Sequence, residues 1–217
     1  GVLCYLTEEK DLYRAKADGA KLEEEEKIAG DVECFELSEN GSYVYYLKNY
    51  DQEEQTGALY RLDLTKKDAE TEKIASDAYS IYFNYLDIML QNFYVTDDGK
   101  SVYYFRNVEE IAGTYSDSGT LMMATVGSEE PVKIGTEVVV GAPTSARKDE
   151  SLDAKSILFE KYITTDENDE VIANWMYWNG TEATVMGREV YHSADAVGVQ
   201  ARADETPADT AEDTFWS

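Results

Sequence analysis

The sequence predicts an all-β protein assembled from repeated antiparallel units. Two observations support this prediction: a turn-plus-strand segment that occurs twice, and strand-like runs rich in tyrosine and β-branched residues. The first copy covers residues 38–49 and the second covers residues 96–107, and in each a polar turn with a glycine leads into an aromatic strand. Each repeat of this kind is one supersecondary element that must stack on neighbours to bury its faces. The repeat therefore indicates stacked sheets.

Further landmark segments keep the same order around each copy. Leu12–Arg14 and Lys27–Val32 precede the first copy, and Leu59–Arg61 and Lys73–Ala78 precede the second. A weaker third unit and partial units at both ends follow the same pattern. The third unit comprises 121–123, 133–138 and 157–159, the start (2–6) resembles a last strand, and 175–180 with 185–190 resemble the first two strands of a unit.

The spacing of the units is typical of a propeller blade. From Val44 to Val102 is 58 residues and from Val102 to Ile157 is 55, which suits four strands with loops of variable length. Residues 43–47 alternate so that both faces of the strand are apolar, which predicts a strand covered on both sides. We therefore predict three consecutive antiparallel sheets, ending in 44–47, 102–105 and 157–159, with little helix.

The turn-plus-strand element resembles the repeat of TolB-type, WD-repeat-like β-propellers, whose units carry a Ser-Pro-Asp-Gly-Lys turn before a hydrophobic strand. The matching stretches are Ser38–Ser42 and Thr96–Lys100, and both lack the proline of that motif; the third unit has no such glycine turn. The tyrosine-rich form is similar to propeller proteins of unknown function on Gram-positive bacterial surfaces. The resemblance covers about residues 1–192 and implies an extracytoplasmic, cell-surface architecture; it carries over no catalytic residue.

The fold class is thus an all-β β-propeller or propeller fragment of four-stranded blades, with three full units and partial units at both ends. Two alternatives for the ends remain open. Pairing of Val2–Leu6 with Met186–Tyr191 would complete a fourth blade and leave no exposed edge. Alternatively, the chain is a piece of a larger propeller.

Composition excludes several classes of partner. The 217 residues carry 19 Lys and Arg against 45 Asp and Glu, a formal net charge of −26. Such a charge repels nucleic acid and anionic membranes, which are bound through basic side chains. No apolar stretch is long enough to insert in a membrane, and nothing at the start of the sequence has the pattern of a signal peptide. Cys4 and Cys34 leave both a disulfide and buried free thiols open.

Residues 193–217 form an acidic, low-complexity tail after the repeat domain of residues 1–192. It has no strand alternation but ends in Phe215 and Trp216. An inert terminus and an aromatic anchor that docks on this chain or another copy are both open. Nothing in the sequence indicates an oligomeric state.

The residue inventory argues against most catalytic sites. His192 is the single histidine, so zinc sites that need two histidines are excluded, and no nucleophile-elbow, phosphate-loop or dinucleotide motif is present. The acidic stretch 166–170 has oxygen ligands but lacks the pattern of a calcium-binding loop. We expect no catalytic residue, no metal site and no cofactor.

Long loops of the repeats are expected on one rim. With strands in up-down order, the excursions 50–57, 76–91 and 108–119 fall at the same end of the units. They carry the candidate ligand-binding residues Tyr50, Tyr79, Tyr82, Phe83, Tyr85 and Tyr115. Loops gathered on one face of a rigid scaffold are common binding sites.

Two functional hypotheses follow. The first is a non-catalytic binding or scaffolding module of the bacterial cell envelope that recognises a peptide, glycan or partner protein on one propeller rim. The alternative is a glycan-active hydrolase or lyase, or the propeller domain of a larger enzyme, because paired carboxylates on such folds hydrolyse glycosides. A carboxylate with a strongly raised pKa that faces a second one would favour the enzyme.

Overall fold

The computed structural model describes residues 2–18, 21–83, 88–146 and 152–192, and in these residues the protein is all-β. Its strands pair exclusively antiparallel, in sheets of three, four and eight strands and one two-stranded hairpin. Throughout the described ranges no helix is present, so none of these residues provides a helix able to cross a membrane. The predicted all-β class and the expectation of little helix are confirmed.

The first two sheets follow each other directly along the chain. Sheet I has the order β1-β2-β3 and sheet II the order β4-β5-β6-β7. Their strands are β1 (Val2–Leu6), β2 (Leu12–Asp18), β3 (Lys21–Ala29), β4 (Val32–Leu37), β5 (Tyr43–Asp51), β6 (Thr56–Asp63) and β7 (Glu72–Tyr79). A short hairpin of β8 (Ile81–Phe83) and β9 (Ile88–Leu90) connects sheet II to the third sheet.

Sheet III consists of two four-stranded halves. The front half comprises β10 (Phe93–Val95), β11 (Ser101–Glu110), β12 (Asp117–Thr125) and β13 (Val132–Val139). The rear half comprises β14 (Thr144–Ser145), β15 (Ile157–Thr165), β16 (Val171–Trp178) and β17 (Ala183–Tyr191). A single residue pair, Val138 with Lys161, joins β13 to β15, whereas β15 and β16 pair along eight residues.

Alternate residues of one strand pack against different neighbouring sheets, which is why the aromatic strands are apolar on both faces. In β5, Val44 and Tyr46 belong to the cluster shared with sheet I, while Tyr45 and Leu47 pack against the front half of sheet III. In β11, Val102 and Tyr104 face sheet II, and Tyr103 and Phe105 face the rear half. All eight of these side chains are buried. The prediction of strands covered on both sides is confirmed.

The boundary between units differs from the prediction. Residues 27–32 are not one strand, because β3 ends at Ala29 and β4 begins at Val32, and Asp31 between them has a positive φ of 55°. The strand containing Val44–Leu47 is therefore the second strand of its sheet, between β4 and β6, rather than the last strand of a unit. The predicted strands exist, but their grouping into three full units was wrong.

The pairing of the two ends, one of the two alternatives that the sequence left open, is also absent. β1 pairs with β2 alone and β17 pairs with β16 alone, so Val2–Leu6 and Met186–Tyr191 do not form a shared sheet. No closed sheet is found in the described residues. Cys4 is a buried free thiol and Cys34 is a half-buried one, so the described cysteines form no disulfide. The acidic tail lies outside the described residues.

Candidate functional site

The three loops predicted to share one rim do meet at a common cleft. The β5–β6 turn contributes Glu53, Glu54 and Gln55, and the end of β7 with the start of β8 contributes Tyr79 and Ile81. The end of β11, the β11–β12 loop and the first residue of β12 complete the wall with Val108, Glu110, Thr114, Tyr115 and Asp117. We call this feature of about 500 Å³ the rim cleft.

Local hydrogen bonds determine the shape of the first two loops. In the β5–β6 turn, Asp51 Oδ1 accepts from the backbone N–H groups of Glu53 and Glu54 at 2.9 and 3.2 Å, as aspartate does in an Asx-turn. Gln55 closes that turn with a positive φ of 52°. The backbone N–H of Ser80 then donates to Gln55 O at 3.0 Å, which fixes the β7–β8 connection against this turn.

The β11–β12 loop is braced by Thr114. The hydroxyl Oγ1 of Thr114 donates to Ile111 O at 2.8 Å and accepts from the Ser116 backbone N–H at 3.0 Å. Gly113 occupies the left-handed region with φ 83°, which a residue without a side chain adopts at little cost. As a result, the Tyr115 side chain projects fully into solvent at the mouth of the rim cleft.

Tyr79 connects the loops of two sheets at the base of the rim cleft. Its hydroxyl donates to Asp117 Oδ2 at 2.7 Å and lies 3.0 Å from Gln55 Oε1. Burial, and next the hydrogen bond to the Asp117 carboxylate, raise the pKa of Tyr79 well above its ordinary value. Tyr79 is therefore a neutral donor at physiological pH and fixes the position of Asp117.

The carboxylates give the rim cleft its charge. Glu53, Glu54 and Glu110 are exposed and Asp117 is half-buried. No Lys or Arg belongs to the described lining of the rim cleft. The arrangement combines four acidic groups with one exposed phenol ring and two aliphatic side chains, Ile81 and Val108.

The predicted site residues divide into three groups. Tyr79 and Tyr115 line the rim cleft. Tyr50 lies behind it, where its hydroxyl donates to Ser80 O at 2.6 Å and its ring packs against the core between sheets II and III. Tyr82 and Phe83 belong to strand β8, but the structure does not describe their side chains. Tyr85 lies outside the described residues.

Sequence reasoning missed the acidic part of the site. Glu53, Glu54 and Glu110 are exposed acidic residues, and their convergence on one cleft was not predicted from the sequence. The available signal was their position on two hairpin loops at the same end of neighbouring sheets. A tally of acidic residues does not contain that information, because 45 such residues are spread along the chain.

Elsewhere, Glu36 on β4 is a carboxylate with a perturbed pKa. It accepts a hydrogen bond from Gln91 Nε2, which lies just before β10 of sheet III. Burial raises the pKa of Glu36 to about 7, against the opposing effects of the Val95 backbone N–H and the Gln91 amide, which donate to the carboxylate. Its described partners are thus an amide and a backbone N–H, not a second carboxylate.

The raised pKa of Glu36 predicts a loss of stability as pH rises. In the unfolded chain Glu36 ionises near 4.5, whereas in the fold it stays protonated until about 7. Stability from this group is therefore fully present below pH 4.5 and declines as pH rises through 7. We expect Glu36→Gln to raise the thermal midpoint relative to wild type at pH 8 but not at pH 4.5.

A charge-matched variant separates this effect from the general repulsion of an acidic protein. Glu39→Gln removes one negative charge from an exposed position on the neighbouring β4–β5 turn. Thermal midpoints of the three proteins between about pH 4 and 8 test the prediction. Equal shifts for Glu36→Gln and Glu39→Gln across this range would contradict a specific role of Glu36 burial.

The sequence predicts no metal site, and the acidic stretch 166–170 is the segment whose oxygen ligands were considered for calcium. No group of three or more His, Cys, Asp or Glu side chains arranged to hold a metal ion is found in the described ranges. The 166–170 stretch forms a turn in which Asp166 Oδ1 accepts from the backbone N–H groups of Asn168 and Glu170, at 2.8 and 2.9 Å. These bonds stabilise the conformation of the acidic turn.

Comparison with known proteins gives no family. No protein-family model matches the chain. No curated protein matches it in sequence.

Two solved structures share a distant likeness with the chain. Hydrazine synthase of Kuenenia stuttgartiensis has a TM-score of 0.40 and 13% identity over 82% of this chain. A proposed 6-phosphogluconolactonase of Bacteroides uniformis has a TM-score of 0.36 and 12% identity over 84%. The chain spans 43% and 51% of the lengths of these two proteins. A likeness at this level carries no functional assignment.

Proposed function

We propose that this protein is a non-catalytic binding module of the bacterial cell envelope, and that its rim cleft recognises a basic peptide segment of a partner protein. In this proposal sheets I and II and the two halves of sheet III are successive blades of a β-propeller-type arrangement. The core clusters support the blade interpretation, because each lies between sheets that are consecutive along the chain. The extracytoplasmic location rests on the resemblance of the turn-plus-strand repeat.

The convergence of three loops on the rim cleft is the observation that carries this function. The loops come from sheet II, the β7–β8 link and sheet III. The Tyr79 hydroxyl, which donates to Asp117 Oδ2 and lies 3.0 Å from Gln55 Oε1, holds them together. A site built by rigid strands and braced turns is preorganised, which reduces the entropy lost on binding.

The chemistry of the lining favours a cationic ligand. Glu53, Glu54, Glu110 and Asp117 give the rim cleft negative charge inside a protein of net charge −26, which attracts cations over long range. The aliphatic stems of Lys and Arg pack on apolar surface such as Ile81 and Val108. The exposed ring of Tyr115 can hold a guanidinium or ammonium group by a cation–π contact.

The enzyme alternative receives less support from the site. Glycoside hydrolysis by a carboxylate pair needs one acid with a raised pKa opposite a second carboxylate. Glu36 has the raised pKa but bonds to Gln91 and the Val95 backbone. In the rim cleft, the described partner of Asp117 is the Tyr79 hydroxyl. Neither arrangement is the pair that the alternative requires.

Fluorescence anisotropy with labelled peptides tests the binding function. The probe is a flexible Gly-Ser peptide with four interspersed Arg residues, compared with the same peptide carrying four Gln or four Glu, at about 150 mM salt. We expect saturable binding of the Arg peptide and at least about tenfold weaker binding of the Gln peptide. Tyr115→Ala and the double variant Glu53→Gln/Glu54→Gln should each weaken binding by about threefold to thirtyfold.

A matched control removes the same charge elsewhere. Glu129→Gln/Glu130→Gln changes two adjacent exposed glutamates of the β12–β13 turn, which do not line the rim cleft. It should leave the affinity for the Arg peptide within about twofold. If both double variants weaken binding equally, the attraction is a nonspecific effect of net charge and the proposal fails. If neutral glycans bind in a manner that depends on Tyr115 and the Arg peptide does not bind, the ligand of the rim cleft is a glycan and the peptide proposal fails.

A further inference from the structure

A second cavity lies on the rear half of sheet III and shares no lining residue with the rim cleft. It has a volume of about 330 Å³ and is walled by the β13–β14 connection and by strands β15 and β16. Leu158 and Trp175 contribute apolar surface, and Glu160 and His192 contribute polar groups. The volume is at the lower end of ligand pockets, which enclose about 300–1,000 Å³.

The single histidine of the chain is held in this cavity by two interactions. Its backbone N–H donates to Val171 O at 2.8 Å, which fixes the residue after the end of β17. Its ring nitrogen Nδ1 bonds to Glu160 Oε2. The two side chains are 23% and 16% exposed, so both are largely shielded yet reachable from the cavity.

The pairing with Glu160 determines what the imidazole offers a ligand. The Glu160 carboxylate accepts a hydrogen bond from the Nδ1–H group of His192, so Nε2 is the ring nitrogen left for a ligand. A ligand hydroxyl both donates and accepts, so it pairs with Nε2, and the carboxylate of Glu160 offers an acceptor next to it. The cavity thus presents two neighbouring polar groups that suit hydroxyls.

An aromatic side chain lies beside these polar groups. Trp175 on β16 is directly opposite Glu160 on β15, so their side chains project from the same face of the sheet. The next residue in this row, Gly187 on β17, has no side chain, and a Cβ placed there would come no nearer than 3.6 Å to its neighbours. The sheet therefore leaves room next to the indole.

We propose that this cavity binds a single neutral pyranose ring, such as the terminal residue of a glycan. Adjacent sugar hydroxyls form hydrogen bonds with His192 Nε2 and with the Glu160 carboxylate, while the C–H face of the ring packs on Trp175. An anion is disfavoured by the Glu160 carboxylate and by the net charge of −26. The site extends beyond the peptide-binding function proposed for the rim cleft and does not depend on it.

NMR of the imidazole ring tests the site directly, because one histidine gives one set of ring signals. The probes are methyl glycopyranosides of glucose, N-acetylglucosamine, galactose and mannose, with myo-inositol and benzylammonium as comparison ligands. We expect a saturable shift of the His192 signals with at least one pyranoside. Absence of a shift with all four pyranosides, or a larger shift with benzylammonium, would overturn the proposal.

Variants separate the ligand contacts from folding. His192→Asn retains an amide N–H near the position of Nδ1 for Glu160 but removes Nε2, and Trp175→Leu removes the ring; both should weaken pyranoside binding at least about tenfold in saturation-transfer difference NMR. Glu189→Gln, an exposed change on β17, is the control and should bind as wild type. Thermal midpoints identify any variant that fails to fold. Unchanged pyranoside binding in a folded His192→Asn protein would also overturn the proposal.

Discussion

Tyr45→Ala is expected to lower the free energy of unfolding by about 3–5 kcal/mol, as truncation of a fully buried aromatic side chain does. The ring is completely buried on β5, in the core between sheet II and the front half of sheet III. Its hydroxyl donates to Gly99 O at 2.8 Å, and the ring centre lies 5.9 Å from the Arg61 guanidinium carbon. One substitution thus removes core packing, a buried hydrogen bond and a cation–π contact.

Tyr45→Phe separates the contribution of the ring from that of the hydroxyl group. It retains the ring and its packing but leaves Gly99 O without the phenol donor, which costs about 1–2 kcal/mol. Denaturant unfolding of the three proteins measures both values. A loss below about 1 kcal/mol for Tyr45→Ala would contradict the tight packing of sheet II on sheet III.

Strand positions were predictable from the sequence because side-chain periodicity is local. The alternation of Val44, Tyr45, Tyr46 and Leu47 shows a two-faced strand without reference to any other part of the chain. The structure places these residues in turn against sheet I and sheet III. Local pattern therefore gave both the strand and the number of its covered faces.

The grouping of strands was not predictable in the same way, because pairing is a contact between distant residues. The boundary between sheets I and II depends on the short link after Ala29, where Asp31 takes a positive φ, which is uncommon even for aspartate although aspartate is enriched there. The segment 27–32 aligns in sequence with Lys73–Ala78, which lies within one strand, β7. The same limit applies to Glu160 and His192, which are 32 residues apart and meet only through strand pairing.

The position of the rim cleft was predictable from the sequence in part. Up-down order alone places alternate loops at the same end of the sheets, so the convergence of three loops followed from topology. The role of each tyrosine did not, since Tyr50 and Tyr79 are both loop-proximal but only Tyr79 bonds across to Asp117. That distinction depends on strand twist and turn geometry, which a local sequence pattern does not reveal.

The two copies of the repeated turn provide the final prediction, a comparison of Gly41→Ala with Gly99→Ala. Both glycines have nearly the same left-handed backbone, with φ of 68° and 70°. A Cβ at Gly41 would meet nothing within 4 Å, whereas a Cβ at Gly99 would lie 2.5 Å from Ser38 Cβ. Gly41→Ala should therefore cost only the backbone strain, about 1–2 kcal/mol.

Gly99→Ala should cost about 3–5 kcal/mol, because a steric clash adds to the same strain. The clash has no easy relief, since Ser38 is buried and the first turn is bound to the second through Asn40 Nδ2 and Asp98 O at 3.0 Å. Denaturant unfolding of both variants measures the difference, and equal losses would show that the two turns do not pack as described. Gly99 is thus required both for the left-handed turn and for the close contact between consecutive sheets.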